Sequence, residues 1–266
     1  MSVPGVSVDS ATGRGTSLFT SLRWKRLVLA AAILLLWQIA GMLSNPVTFP
    51  PFSAVASAFV DLVLNGGLVP ALGSSLQLLA IGFLTAMVVG SLLGVLLGRY
   101  RLLDQAFGPY ISALYATPEI ALVPLILVWF GFGLGGRVVV VFLASFFPIL
   151  INTYAGVRDA PAPLIEVARS VGVKSEIGIL RRVVIPSAVP FLMAGLRLSI
   201  GRGVVGMAVA EVYLRLGGIG SLIVQYGAVF KTDYVMAAIL PLPLLGIGLT
   251  KLSAVLERRL QKWRVD

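Results

Sequence analysis

The sequence predicts an all-α integral membrane protein. Three observations carry that reading: 58% of the 266 residues are hydrophobic, only 12% are charged, and mean hydropathy is +0.98. A soluble domain carries roughly 25% charged residues, so the apolar surface of this chain belongs in lipid. Its 21 Lys and Arg exceed its 11 Asp and Glu, for a formal net charge of +10. At so low a charge density that excess sits in loops and tails, where it speaks to topology rather than to nucleic acid. The chain has no His and no Cys. That removes the imidazole base, the thiolate nucleophile, the disulfide framework and the Cys/His zinc site, and no catalytic or metal-ligating residue is expected.

A membrane helix needs about twenty mostly apolar residues, and six such stretches follow one another. Leu27–Leu43, a span within Leu62–Gly98, and Val138–Val157 carry no charge at all. Gln105–Gly136 is interrupted only by Glu119, and Val183–Leu214 only by Arg197, Arg202 and Glu211. Tyr234–Leu256, with Lys251 near its end, is the sixth. With the N-terminus inside, cytoplasmic segments hold fifteen Lys and Arg; the external ones hold three, Arg137, Arg215 and Lys231. Basic segments near spans are retained in the cytoplasm, which predicts both termini inside. The organisation expected is a cytoplasmic tail over 1–26, a six-helix domain over 27–256 and a second tail over 257–266. No small-residue cleavage site follows a short basic start, so no signal-peptidase processing is expected.

Two connections are too long for simple hairpins. The external one opens with Asn45-Pro46 and Pro50-Pro51, then places Phe52, Val55, Phe59 and Leu62 at helical spacing. This predicts an interfacial helix over about 52–65, capped by Ser53 and ended by Gly66-Gly67. The internal one, about 158–187, is the most charged part of the chain and lies between Pro161-Ala162-Pro163 and Pro186. A helix from Leu164, a reversal at Gly172 and a second helix capped by Ser175 are expected on the cytoplasmic face.

Gly82, Ala86, Gly90, Gly94 and Gly98 recur every four residues, a small-residue face for close helix packing in lipid. Packing within the chain and packing between two copies are both open. Gly195, Ser199 and Gly203 form a second stripe. Ionisable groups at depth face protein or water. Arg197 and Arg202 either flank a pathway or snorkel inward, Glu211 is a gate or an ion-pair partner, and Glu119 lines a cavity or pairs with an Arg. No P-loop is present, because the nearest approach, Gly172-Val173-Lys174-Ser175, lacks the earlier Gly. Two G-x-G-x-x-G strings, at Gly131/Gly133/Gly136 and Gly201/Gly203/Gly206, follow no strand and are chance matches.

The cytoplasmic segment Glu166, Val167, Ala168, Gly172, followed by Pro186-Ser-Ala-Val-Pro190, resembles the E-A-A-x-x-x-G signature of bacterial ABC importer permeases. Three further blocks resemble the sulfonate, taurine and nitrate branch of those proteins: ATPEIALVPLILVWFGFG (116–133), FLASFFPILINTYAGVR (142–158) and GLRLSIGRGVVGMAVAEV (195–212). Val167 stands where the signature has its second Ala, and the Gly172–Pro186 interval is one residue longer than in the branch.

The resemblance implies a type I importer-like fold in which Glu166, Val167, Ala168, Arg169, Gly172, Val173 and Pro186 couple to a separate ATPase. Arg169, Lys174, Arg181 and Arg182 either meet acidic groups there or serve only the inside-positive bias. It further implies two ATPase subunits binding ATP and Mg, no cofactor in this chain, a second permease copy as the simplest dimer, and an extracytoplasmic substrate-binding protein. The pathway would lie at the two-fold interface in the inner membrane and carry a small anion. Two other classes remain: a carrier or channel working without an ATPase, and an integral-membrane enzyme, which the lack of His and of paired carboxylates disfavours.

Overall fold

The computed structural model describes residues 15–260, with side chains from residue 24 to residue 259. The extreme tails, 1–14 with Arg14 and 261–266 with Lys262 and Arg264, lie outside the described residues. In chain order the helices are α1 (Gly15–Leu43), α2 (Phe52–Leu64), α3 (Leu68–Arg99), α4 (Arg101–Ala116), α5 (Glu119–Phe130), α6 (Leu134–Arg158), α7 (Ala162–Ser170) and α8 (Glu176–Ile179). A π-helical turn, Leu180–Val184, leads into α9 (Ile185–Leu214). Then come α10 (Ile219–Ala228), α11 (Thr232–Ile239) and α12 (Pro241–Leu260). Among the described residues, five helical runs are long and apolar enough to cross a membrane: 24–43, 68–99, 134–158, 176–214 and 232–259. The α4–α5 pair is a sixth if it counts as one crossing.

That pair differs from the single straight span expected over Gln105–Gly136. The chain bends by 103° between α4 and α5. Thr117 precedes Pro118, and steric conflict with the proline ring holds such a residue out of the helical region; its φ and ψ are −75° and 133°. Pro109, Pro124, Pro148 and Pro190 are all accommodated inside helices. The break therefore sits at Thr117-Pro118 and not at Pro124.

α6 is the centre of the core. On one side α3 lays its small-residue stripe along it, residue for residue. A Cβ added to Gly82 would lie 2.6 Å from Val141, one on Gly94 2.7 Å from Thr153, and one on Gly98 2.8 Å from Val157. Ala86, fully buried, packs with Ile149. Residue numbers rise together in these contacts, so α3 and α6 run parallel. On the other side, Gly195 meets Pro148 and Asn152, Gly203 meets Ser145, and Gly206 meets Ala144. Here numbers run oppositely, and α9 is antiparallel to α6. Lipid gives no hydrophobic drive for helix association, so the close backbone approach that Gly permits supplies dispersion contacts in its place.

At the end of the core where α3 begins, α2, α10 and α11 form a lid with an apolar cluster of Val55, Leu62, Leu68, Leu222 and Ala237. α1 joins only its rim. Trp37 Nε1–H donates to the Pro50 carbonyl at 3.2 Å, and Gln38 accepts from the Ser53 backbone N–H at 2.9 Å. Ser53 is thus inside the first turn of α2 and tied to Gln38, and Pro51, with no side-chain cap, occupies the N-cap position. The expected Ser53 cap gives way because Pro51 already presets the helical entry.

Candidate coupling segment and intramembrane site

Pro161 and Pro163 start α7 where missing N–H groups leave no helical bond unmade. The helix ends in a Schellman motif: Val173 N–H donates to the Ala168 carbonyl at 3.0 Å and Gly172 N–H to that of Arg169 at 3.1 Å. Gly172 takes φ +95°, a conformation other residues adopt only with strain. Ser175 Oγ then accepts from Gly178 N–H at 3.0 Å and caps α8. The reversal gives α7 two faces. Ala168 is buried, and Ile165 packs on a cluster of Val157, Ile179, Val184 and Ala188. Leu164, Val167 and Val171 are 51%, 58% and 74% exposed, an apolar strip on a charged segment. Glu166, Arg169 and Lys174 are exposed beside it, and Val173 and Pro186 are partly covered.

Glu176, marked in the sequence only by its place after a cap, ties this segment to the core. One carboxylate oxygen meets Arg99 at the end of α3, and the other lies 3.3 Å from Arg169. The π-helical turn follows directly. A turn closed between residues five apart holds one residue more than an α-turn, so Leu180–Val184 takes up an extra residue on the way into α9.

Of the four ionisable residues at depth, the structure brings two together. Arg202, near the middle of α9, donates from Nη1 to Glu119 Oε1 at 3.0 Å and from Nη2 to the Tyr115 hydroxyl at 3.4 Å. Its guanidinium lies 5.0 Å from the Tyr115 ring centroid. Glu119 is the first residue of α5, set at that point by the Thr117-Pro118 break. The pair opens on a cavity of about 470 Å³ between the break, α6 and α9.

The other two lie elsewhere. Arg197 pairs with Glu257 of α12. Glu211 is fully buried near the C-terminal end of α9, where it accepts from the Ser75 hydroxyl at 2.7 Å and from Gly220 N–H at 2.9 Å. Ser75 accepts in turn from Ile219 N–H at 2.9 Å, so the two side chains satisfy the first donors of α10. A further ion pair, Asp104 with Arg158 at 3.4 Å, lies at the opposite end of the bundle, where Arg158 also bonds Tyr154.

With this geometry in view, comparison with known proteins is decisive. The family model described as the binding-protein-dependent transport system inner membrane component matches residues 86–262. The chain belongs to this family. It is 33% identical over 242 residues, 90% of this chain and 87% of the other, to a protein of Bacillus subtilis strain 168 named as an aliphatic sulfonates transport permease, SsuC. It is 35% identical over 248 residues, 91% of this chain and 92% of the other, to the riboflavin transport system permease protein RibX of Chloroflexus aurantiacus. Among solved structures, an inward-facing form of the MetNI methionine ABC transporter matches at a TM-score of 0.60 and 20% identity, over 74% of this chain and 97% of that one. The last likeness bears on the fold. The protein is accordingly a multi-pass ABC transporter permease, helical over its described residues, with relatives named for sulfonate and taurine transport, and its family is one of transport subunits rather than enzymes.

Proposed function

We propose that the protein is the membrane-spanning subunit of an ATP-driven importer of a small anion. In this reading α7 and α8 dock on a separate ATPase, which binds ATP and Mg, and the anion arrives from an extracytoplasmic binding protein. The observation that carries the proposal is the exposed strip Leu164, Val167 and Val171. Outside the bilayer such a strip, flanked by Glu166 and Arg169, is a partner surface and not a lipid face. Val167, larger than Ala, adds apolar area at its centre. Ala168, Gly172, Val173 and Pro186 hold the strip in place, and the Arg99–Glu176–Arg169 bridge ties it to α3. Movement of the segment is thereby passed to the core.

Six crossings in a bacterial inner membrane, with both termini cytoplasmic, fit best. Because α3 and α6 run parallel, the chain must return through the full thickness between them, and only the bent α4–α5 pair is available for that return. α4 has no buried residue, and Phe107, Tyr110 and Leu114 on it are exposed. This supports a second copy closing the α4–α5 side, with two ATPase subunits below the dimer and the pathway at its two-fold interface. Glu119 and Arg202 line that pathway, Arg197 stands nearer its inner end, and Glu211 holds its outer wall.

The test is co-purification from native membranes, with an ATPase subunit expected to accompany the tagged chain. Glu166→Lys and Gly172→Pro should each lower uptake by about tenfold, a loss of roughly 1.4 kcal/mol of coupling, while ATP turnover persists. Full uptake by both variants, or uptake with no ATPase present, overturns the proposal in favour of an ATP-independent carrier or channel.

A further inference from the structure

We infer that Arg202 is a transient oxyanion site within the membrane, and that Glu119 is its built-in competitor, occupying the guanidinium when no substrate is present and expelling the anion afterwards. The inference rests on the transport reading above and names what that pathway recognises.

The argument starts from cost. A guanidinium at mid-membrane is expensive unless paired, and Arg202 stands near the middle of the thirty-residue α9. Glu119 supplies the pairing, yet incompletely. It takes one donor, Nη1 at 3.0 Å, while Nη2 reaches only the Tyr115 hydroxyl at 3.4 Å. A planar fork that can hold an oxyanion through two parallel bonds is left half used. The Arg202 side chain is 45% exposed, and the space it faces is the cavity of about 470 Å³. Gly201, its neighbour on that wall, has nothing within 4 Å of where a Cβ would stand. Room and donors for a sulfonate- or carboxylate-sized oxyanion therefore coincide.

Displacement of Glu119 is also provided for. Glu119 belongs to the first turn of α5, where a carboxylate is stabilised by the free N–H groups and the positive end of the helix dipole. Freed from Arg202, it remains beside the N-terminal end of that dipole and partly open to the cavity. It stays close enough to repel a bound anion. Passage through a membrane requires binding strong enough to admit the ion and weak enough to release it, and an internal carboxylate of equal charge sets that balance. Tyr115 fixes the guanidinium plane through its ring, 5.0 Å from centroid to Cζ, so that the fork faces the cavity. A second cavity, about 520 Å³, lies on the other side of Tyr115, beside Asp104 and Tyr154. Release from Arg202 past Tyr115 leads toward it.

The experiment uses the full chain in lipid nanodiscs with two probes of nearly equal shape, methanesulfonate and the neutral dimethyl sulfone. Saturation-transfer NMR of their methyl groups reads weak binding. Methanesulfonate should bind and dimethyl sulfone should not. Arg202→Gln should abolish methanesulfonate binding, and Glu119→Gln should tighten it by about tenfold, the change expected when one competing charge pair is removed. Should Arg202→Gln fail to insert, Arg202→Lys takes its place: it keeps the charge, loses the fork, and should weaken binding several-fold. Equal binding of the two probes, no methanesulfonate signal from the unaltered chain, an Arg202 variant that binds normally, or weaker binding by Glu119→Gln each overturns the inference. Because no ATPase enters this measurement, failure of the coupling proposal appears separately, as absence of the co-purifying subunit.

Discussion

Two glutamates flank the same helix core, and their surroundings are opposite. Glu211 is fully enclosed, its two oxygens each assigned to a different donor, Ser75 and Gly220. Glu119 is 22% exposed, holds one guanidinium and faces a cavity. The partners explain the division. A hydroxyl and a backbone N–H lie in the fold's own walls, so Glu211 fastens α10 to α3 and α9. A guanidinium is a mobile fork that other anions also fit, so Glu119 is exchangeable. In a membrane, the identity of the partner separates a structural carboxylate from a functional one more sharply than depth does.

The sharpest way to break this comparison is to remove both carboxylates in turn and measure stability. Glu211→Leu leaves the Ser75 hydroxyl and Gly220 N–H without an acceptor in an enclosed site, a loss of about 3 kcal/mol. The melting midpoint of the purified chain, followed by tryptophan fluorescence, should fall by several degrees. Glu119→Gln should lower it by less than half as much, since the amide still accepts from Arg202 and the pair is partly open to solvent. Equal losses for the two variants would erase the distinction.

A smaller effect sharpens the same contrast from the side of the loop. Gly218, at φ +83°, lies directly against the Glu211 carboxylate, and a Cβ there would overlap it. Gly218→Ala combines an unfavourable backbone conformation with displacement of the carboxylate, together about 2 kcal/mol. Gly217, at φ +78° with open space around it, carries the backbone penalty alone. Gly217→Ala should therefore lower the midpoint by about half as much. If the two substitutions behave alike, packing against Glu211 contributes nothing.

How much of this is legible in the sequence follows from the range of the interactions. The uncharged runs locate the apolar helices because hydrocarbon selects on composition alone. The Gly172 reversal and the Ser175 cap are legible for a related reason: the motif is closed within six residues, so local chemistry determines it. The bend at Thr117-Pro118 is not legible, because Pro109, Pro118 and Pro124 all lie in one apolar stretch and only packing decides which of them interrupts it. The pairing of Arg202 with Glu119 joins residues 83 apart, and that of Glu211 with Ser75 joins residues 136 apart. Sequence marks such groups as costly without saying which are sealed and which are open. α10, ten residues long and uncharged, is too short to register as a span and too apolar to register as a loop.

The smallest expected effect concerns a third carboxylate, at the surface of the lid, and extends the series from the sealed Glu211 and the cavity-facing Glu119 to one that joins two surface helices. Asp61 accepts from Asn65 at 3.1 Å and from the Tyr234 hydroxyl at 2.9 Å, joining α2 to α11. These hydrogen bonds favour the ionised form and lower its pKa below the ordinary carboxylate value. A lowered folded pKa contributes stability that is fully present above the unfolded value and is lost as pH falls through the folded one. The lid should accordingly be insensitive to pH through the neutral range and loosen only in acid. Asp61→Asn removes the charge while keeping an acceptor for Tyr234, so the variant should melt slightly below the parent at pH 7, and the two should converge as pH falls below the carboxylate range. Hydrogen exchange of the α2 and α11 backbone, compared at neutral and acid pH, reads the lid directly. A difference between parent and variant that grows in acid would mean that Asp61 acts there other than as an ionised acceptor.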